Sequence, residues 1–177
     1  MRKIVYYVAC SVDGYISGPD DDISGFRQEG SGVEKYLNDL KEFDTVIMGR
    51  NTYEFGYQYG LKPGQPAYPH MRHYIFSESL QLEKPSDKVT VCIPDIATVR
   101  SLKEESGSDI YLCGGGVFAG WLLENEMIDT LKIKLNPFIQ GSGIKLFADT
   151  QKVYQLILKN QEQYDHGLQI ITYEVKY

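Results

Sequence analysis

A chain of 177 residues, 42% hydrophobic and 24% charged, can bury a sizeable core in one domain and has the balance of an ordinary globule, which excludes a disordered or fibrous protein. Its formal net charge of -6, without a Lys/Arg cluster, argues against a nucleic-acid surface, so any anion has to be met locally by helix ends and single cations. Cys10, Cys92 and Cys113 lie in separate apolar runs with no ligand or disulfide spacing, which reads as reduced core thiols in a cytoplasmic protein.

In chain order, "MRKIVYYVAC" is too short in its apolar part for a signal peptide and reads as a first strand, about residues 3–10. No segment is long enough to span a membrane. A polar, glycine-containing loop through 13–30 leads to a helix over about 32–42, with Ser31 and Glu34 in a capping-box pattern. A strand at about 44–48 and a short helix at about 51–59 follow, then the Pro/Gly-rich "LKPGQPAYPH" and a strand at about 73–77. "KVTVCI" is a further strand; Pro94 opens a helix that Gly107 ends. "DIYLCGGG" is a strand running into three glycines, with "VFAGWLLENE" the helix after it. "DTLKIKLNPFI" alternates as a strand with one wet face, and "KVYQLILKNQEQY" and "LQIITYEVKY" flank "DHG" as a hairpin. Parallel βαβ units thus come first and antiparallel strands complete a mixed sheet, in a single domain over 1–177.

Twice, at Gly49 and at Gly114, Gly115 and Gly116, an apolar strand ends in glycine and a helix begins. Bare backbone allows close approach of a ligand, and a helix N-terminus offers unpaired N–H groups with partial positive charge. Arg50 adds a cation with a rigid donor fork and Thr52 a hydroxyl. The residues by themselves point to a phosphate-bearing small ligand; tight turns without a ligand remain the alternative. Neither site is a Rossmann fingerprint or a P-loop.

"CSVDGYISGPDDDI", "DTVIMGRNTYEFG", "MRHYIFSES", "IYLCGGGVFAGWLLENEMIDTLKIKLNPFIQGSGIKLF" and "GLQIITYEVKY", in that order, resemble the RibD C-terminal-domain family, bacterial relatives of dihydrofolate reductase. The resemblance implies a dihydrofolate-reductase-like three-layer α/β sandwich, its mixed, mainly parallel sheet closing in a C-terminal antiparallel hairpin, with NADPH lying across the sheet. It places Gly49, Arg50 and Thr52 at the adenosine end and pyrophosphate, and Ser77 at the 2′-phosphate. Gly114, Gly115, Gly116, Val117 and Phe118 become the second cradle, and Ala9 and Ile16 offer backbone groups to the nicotinamide carboxamide. Two positions depart from the pattern: Glu78 follows Ser77 where a second hydroxyl often stands, and Val117 replaces a frequent basic residue.

For the chemistry, Glu34 is the candidate carboxylate on the first helix and Asp13, in "SVDGY", the second; a capping residue and an Asp-Gly turn are their structural alternatives. Arg72 lies near the place where folate enzymes hold the glutamate tail, one residue off and so on the other strand face. His70 and His73 have H-x-x-H spacing without a third ligand, so no metal is expected. The chain lacks the H-x-E and P-C-x-x-C motifs of the deaminase domain that accompanies riboflavin-pathway reductases. The expected function is an NADPH-dependent reductase of a small pteridine-like or ribosylaminopyrimidine-like heterocycle. A true dihydrofolate reductase and a non-catalytic nucleotide-binding module are the alternatives. The resemblance also implies a homodimer, with "TLKIKLNPFI" as a contact surface.

Overall fold

The computed structural model describes residues 1–177. Along the chain come β1 (Ile4–Ser11), β2 (Tyr15–Ser17), α1 (Ser31–Leu40), β3 (Thr45–Gly49), α2 (Arg50–Phe55), β4 (Arg72–Phe76) and β5 (Val89–Cys92). Then follow α3 (Ile96–Glu104), β6 (Ile110–Gly114), α4 (Gly116–Glu124), β7 (Thr130–Asn136), β8 (Ile144–Lys145), β9 (Gln155–Gln163) and β10 (Gln169–Lys176). Eight strands make one sheet in the order β5-β4-β3-β6-β1-β7-β10-β9. All neighbours from β5 to β7 are parallel, while β10 is antiparallel to both β7 and β9.

The central strands are continuous apolar runs because both of their faces are covered. On one face Ile4, Tyr6, Ile47 and Leu112 pack against Val99 and Leu102 of α3 and Phe118 and Leu122 of α4. On the other, Tyr7, Val46, Met48 and Tyr111 pack with Leu40 of α1 and Tyr53 of α2. This is the three-layer α/β sandwich with a mixed, mainly parallel sheet that the sequence implied.

Four local readings change. Gly30, at φ 107°, is the N-cap of α1, so Ser31 lies inside the helix and the Ser31–Glu34 capping box does not form. The acceptor comes instead from the β9–β10 turn, where Asp165 Oδ1 accepts the Ser31 backbone N–H at 3.0 Å and the Ser31 hydroxyl at 2.6 Å. The short helix ends at Phe55 and tightens into a 3-10 turn over Gly56–Tyr59. β7 has no wet face: Leu131 and Ile133 face the α3/α4 core, and Lys132 and Lys134 lie under α1. Lys132 pairs with the buried Asp39 at 2.6 Å, which is why a lysine fits there. Because β7 is hydrogen-bonded along both edges, it cannot serve as an exposed contact strand. Finally, β2 and β8 form a small antiparallel ladder that short polar sequence did not announce.

Tyr53 ties the loop after α2 to the core. Its hydroxyl donates to the Gln65 carbonyl at 2.8 Å and accepts the Gly64 N–H at 2.9 Å, while its ring is buried. Tyr53→Phe leaves both backbone groups without this partner and is expected to lower unfolding free energy by about 1–3 kcal/mol, read from urea denaturation. An unchanged midpoint would show that water replaces the hydroxyl without loss.

Candidate active site

β1, β3 and β6 end side by side, and their carboxyl ends open into a cleft of about 730 Å3. Its floor and walls come from Val8, from Gly49 and α2, from Gly115 and the start of α4, and from the β2–β8 ladder. Phe55, at the end of α2, and Tyr68, within the Pro/Gly-rich loop, close the remaining side.

The glycines at the two junctions serve the chain's own packing. A Cβ on Gly116 would stand 2.1 Å from the Lys145 carbonyl oxygen, and one on Gly120 would stand 2.6 Å from that of Phe147. The first turns of α4 are thereby laid directly on the backbone of the 144–148 segment. Gly49 packs against Phe118, and Gly115 against the Thr52 hydroxyl, so the two junctions lean on one another. The Gly114–Gly115 peptide is cis.

Helix caps divide in two groups. Asp95 caps α3 by accepting the Ala97 and Thr98 N–H groups, and Asp165 serves α1. The N-caps of α2 and α4, Gly49 and Gly115, supply no side-chain acceptor. These are the two helices whose first residues line the cleft. Unpaired N–H groups and the positive ends of two helix dipoles therefore meet there. Arg50 stands at the first position of α2, its Nη1 donating to Ser79 Oγ at 2.9 Å and its Nε paired with Glu54 at 3.0 Å. One acidic residue, Asp21, lies in the lining, so few carboxylates stand beside the helix ends within an acidic chain.

Of the expected cofactor residues, Ile16, Gly49, Arg50, Thr52, Gly115, Gly116, Val117 and Phe118 line this cleft together. Ala9, Gly114 and Ser77 stand just outside the lining. Ala9 follows Val8 and pairs in register with Lys134; Gly114 ends β6. Ser77 Oγ accepts the N–H groups of Ser79 and Leu80 at 3.2 and 3.0 Å, fixing the turn that carries Ser79 to Arg50. Phe118 is held between Phe76 and Trp121 in stacked contacts at 4.9 and 5.7 Å, whereas Val117 is 77% exposed at the helix start.

The two carboxylates considered for chemistry sit elsewhere. Glu34 is exposed on α1 and outside the lining. Asp13 is a latch between loops: its carboxylate accepts the Gln140 and Gly141 N–H groups at 2.9 and 2.7 Å and the Ser11 hydroxyl at 2.7 Å. Those bonds, the Gln140 N–H foremost, bring its pKa down to about 2 and keep it an anion. Arg72 pairs with Glu105 at 2.8 Å at the opposite end of the sheet. Further residues complete the cleft, among them Met48, Asn51, Tyr53, Tyr68 and Cys113.

The groups present are of the kind that a nicotinamide dinucleotide needs. Two uncapped helix starts suit its phosphates, Arg50 with the Ser77–Ser79 turn suits the outer end, and the apolar wall suits a flat ring. Ser17 Oγ, buried without a hydrogen-bond partner in a lining residue, is a further polar atom without a protein partner here.

Residues 2–170 match the family model of the RibD C-terminal domain. The chain belongs to the RibD C-terminal domain family. Among relatives in Bacillus subtilis (strain 168), it is 31% identical over 172 residues to "Uncharacterized protein YwjB", covering 96% of each chain. It is 25% identical to "Uncharacterized protein YyaP" over 183 residues, covering 97% of this chain and 94% of that one. Among solved structures, a protein from Shewanella sp. PV-4 superposes over the whole of both chains with a TM-score of 0.81 at 21% identity. Dihydrofolate reductase from Enterococcus faecalis, complexed with NADP(H), superposes with a TM-score of 0.66 at 14% identity, over 99% of this chain and 97% of that one. The RibD C-terminal domain protein therefore has a dihydrofolate-reductase-like fold. No helix is long and apolar enough to cross a membrane.

His73 shows how the cleft wall is held. Buried and neutral, it donates from Nδ1 to the Met71 carbonyl at 3.1 Å and accepts the Tyr68 N–H on Nε2 at 3.1 Å. Burial, above all, lowers its pKa from 6.5 to about 4. The unfolded chain takes up this proton at higher pH than the folded chain does, so stability is full above about pH 6.5 and falls as pH drops towards 4. The loss reaches about 3 kcal/mol. Urea midpoints measured through this window should fall for the native chain and fall less for His73→Gln; equal slopes would remove His73 as the cause.

Proposed function

We propose that this RibD C-terminal domain protein is an NADPH-dependent reductase of a small, flat heterocycle of pteridine or ribosylaminopyrimidine type. The observation that carries the reading is the pair of helix starts, α2 and α4, that lack a side-chain cap and face one cleft, in a chain that caps its other two helices. On this reading Gly49, Arg50 and Thr52 hold the adenosine end and pyrophosphate, and Ser77 reaches the 2′-phosphate with its remaining hydroxyl proton. Gly114, Gly115, Gly116, Val117 and Phe118 hold the second part of the pyrophosphate and the nicotinamide side. Ala9 and Ile16 present backbone groups to the carboxamide. The bound cofactor supplies a hydride; the chain's part is to fix the ring, exclude water and hold the acceptor. Glu78, exposed beside Ser77, is the feature that works against the 2′-phosphate.

A true dihydrofolate reductase is less well supported. Such enzymes use a half-buried carboxylate on the first helix, and Glu34 is exposed outside the lining, while Arg72 is engaged with Glu105 far from it. Phe55, Tyr53 and Tyr68 suit stacking and edge contacts with a flat ring.

Arg50→Ala should weaken NADPH binding by about 1.5–3 kcal/mol, roughly ten- to a hundredfold in dissociation constant, because charge-assisted bonds are lost and Glu54 is left unpaired. Fluorescence titration measures this; equal affinity removes Arg50 from the site. If neither nicotinamide coenzyme changes the melting point or fluorescence of the wild-type protein, the reductase reading fails as a whole. Turnover separates it from a non-catalytic nucleotide-binding module.

The homodimer is proposed to form at β9, the sheet's edge strand, on which Leu156, Ile157 and Leu158 are exposed. An unpaired strand edge with apolar side chains is a surface that a second copy can cover. Leu158→Asp should then convert a dimer to a monomer in sedimentation velocity; wild-type protein that sediments as a monomer would end the proposal.

A further inference from the structure

A reductase of a C=N bond leaves one proton to be assigned. Hydride addition to the carbon drives the π electron pair onto nitrogen, and that nitrogen must be protonated. No carboxylate is in place to do it. Asp21, alone among acidic residues in the lining, is exposed in the loop after β2; Glu34 lies outside, and Asp13 is a committed anion.

The inner wall carries a different kind of acid. Tyr68 and Cys113 both line the cleft, with the Tyr68 hydroxyl 3.7 Å from Cys113 Sγ. Cys113 is the residue just before Gly114, Gly115 and Gly116, so this hydroxyl stands next to the expected nicotinamide side. We infer that Tyr68 is the proton donor, its hydroxyl delivering a proton to the substrate nitrogen that gains the electron pair. The inference rests on the reductase reading above. The bookkeeping is closed for a dihydropterin C=N bond or for the ring-opened imine of a ribosylaminopyrimidine, in which the C1′–O bond has already broken and the nitrogen proton has passed to that oxygen. The C=N π bond breaks as the reduced nicotinamide gives its hydride to carbon and is left oxidised, nitrogen takes the phenol proton, and the phenolate regains one from water entering the open cleft.

Tyr68 is held in place before any substrate arrives. Its backbone N–H donates to His73 Nε2, its ring stacks on the imidazole at 5.9 Å and 16°, and Tyr111 meets it edge-on at 5.7 Å. A donor fixed in this way needs no reorganisation when charge develops on its partner. Burial raises the Tyr68 pKa well above its ordinary value and raises that of Cys113, so both keep their protons and no thiolate competes. Behind them the Tyr111 and Tyr36 hydroxyls lie 2.7 Å apart, and Lys134 Nζ stands 4.5 Å from the Tyr36 ring centroid. Lys134 is 6% exposed and forms no ion pair, and burial lowers its pKa.

Tyr68→Phe in the full-length protein tests the assignment, since the ring and its stack on His73 are kept. Without nicotinamide, folic acid binding followed by protein fluorescence should weaken about 3- to 10-fold through loss of one hydrogen bond. With NADPH bound, single-turnover reduction of dihydrofolate or of 5-amino-6-(5-phosphoribosylamino)uracil, the compound named for a Thermotoga maritima reductase of this fold, should slow about a hundredfold or more. NADPH affinity should not change. A fluorinated tyrosine at position 68, with a more acidic phenol, should move the alkaline limb of the pH–rate profile to lower pH, which a purely structural ring would not do. Wild-type rates in Tyr68→Phe, or equal folic acid affinity for both proteins, overturn the inference. Failure of the wild-type protein to bind NADPH instead defeats the reductase reading beneath it, and the two failures are distinguishable.

Discussion

The arrangement of this protein depends on one close approach. α4 can start at the carboxyl edge of the sheet because Gly116 and Gly120 let its axis settle onto the carbonyls of Lys145 and Phe147. Gly143 performs the matching service on the other strand of the ladder, where a Cβ would stand 2.1 Å from the Ser17 carbonyl oxygen. The β2–β8 ladder is thereby pressed between the first loop and α4, and Asp13 fastens the same loop to Gln140 and Gly141. Loosening this stack would move the α4 N-terminus and the Ile16 segment together. The cleft is thus a consequence of backbone packing more than of any side-chain cluster.

Charge is distributed in keeping with that geometry. The chain carries a formal charge of -6, yet the ion pairs nearest the core are kept away from the cleft. Asp39 gathers Lys35, Lys132 and the Tyr7 hydroxyl under α1, and Asp44 gathers Arg2 and the Ser108 N–H at the far end of the sheet. What remains at the cleft is Arg50, paired through Nε with Glu54, together with backbone N–H groups and the exposed Asp21 carboxylate. Helix ends and a single guanidinium can hold an anion even in an acidic molecule, because the interaction falls off within a turn and is decided locally.

Much of the fold was legible in the sequence because it is written in local patterns. Apolar runs ending in Gly49 and Gly114 mark strands and junctions, and the two runs flanking "DHG" mark the closing hairpin. What could not be read depends on contacts between distant residues. The cap of α1 is Asp165, 134 residues away, while Ser31 and Glu34 have the letters of a capping box without its backbone geometry. The alternating lysines of β7 looked like a solvent face, since nothing local announces that Asp39 and Tyr36 will lie over them. Asp13 looked like a turn residue or an acid, and its true partners are 127 and 128 residues on. Tyr68 sits in a Pro/Gly-rich loop, and its place at the cleft is set by His73 and Tyr111, an arrangement that composition alone does not specify.

The contrast between capped and uncapped helices is what supports reading the cleft as a ligand site and not as a gap in packing. A side-chain cap contributes about 1 kcal/mol, and the chain uses one at α3 and imports one at α1. Replacing Gly49 or Gly115 by a capping serine is not a free choice, however. A Cβ at Gly49 would meet Phe118 Cβ at 3.3 Å, and one at Gly115 would meet the Thr52 hydroxyl at 3.1 Å. The same crowding that packs the two junctions together works against a side chain at either helix start. Stability is therefore forgone at two adjacent places, and both open onto one cavity whose remaining wall is aromatic. On the reading proposed above, a bound ligand would supply the acceptors that both helix starts lack.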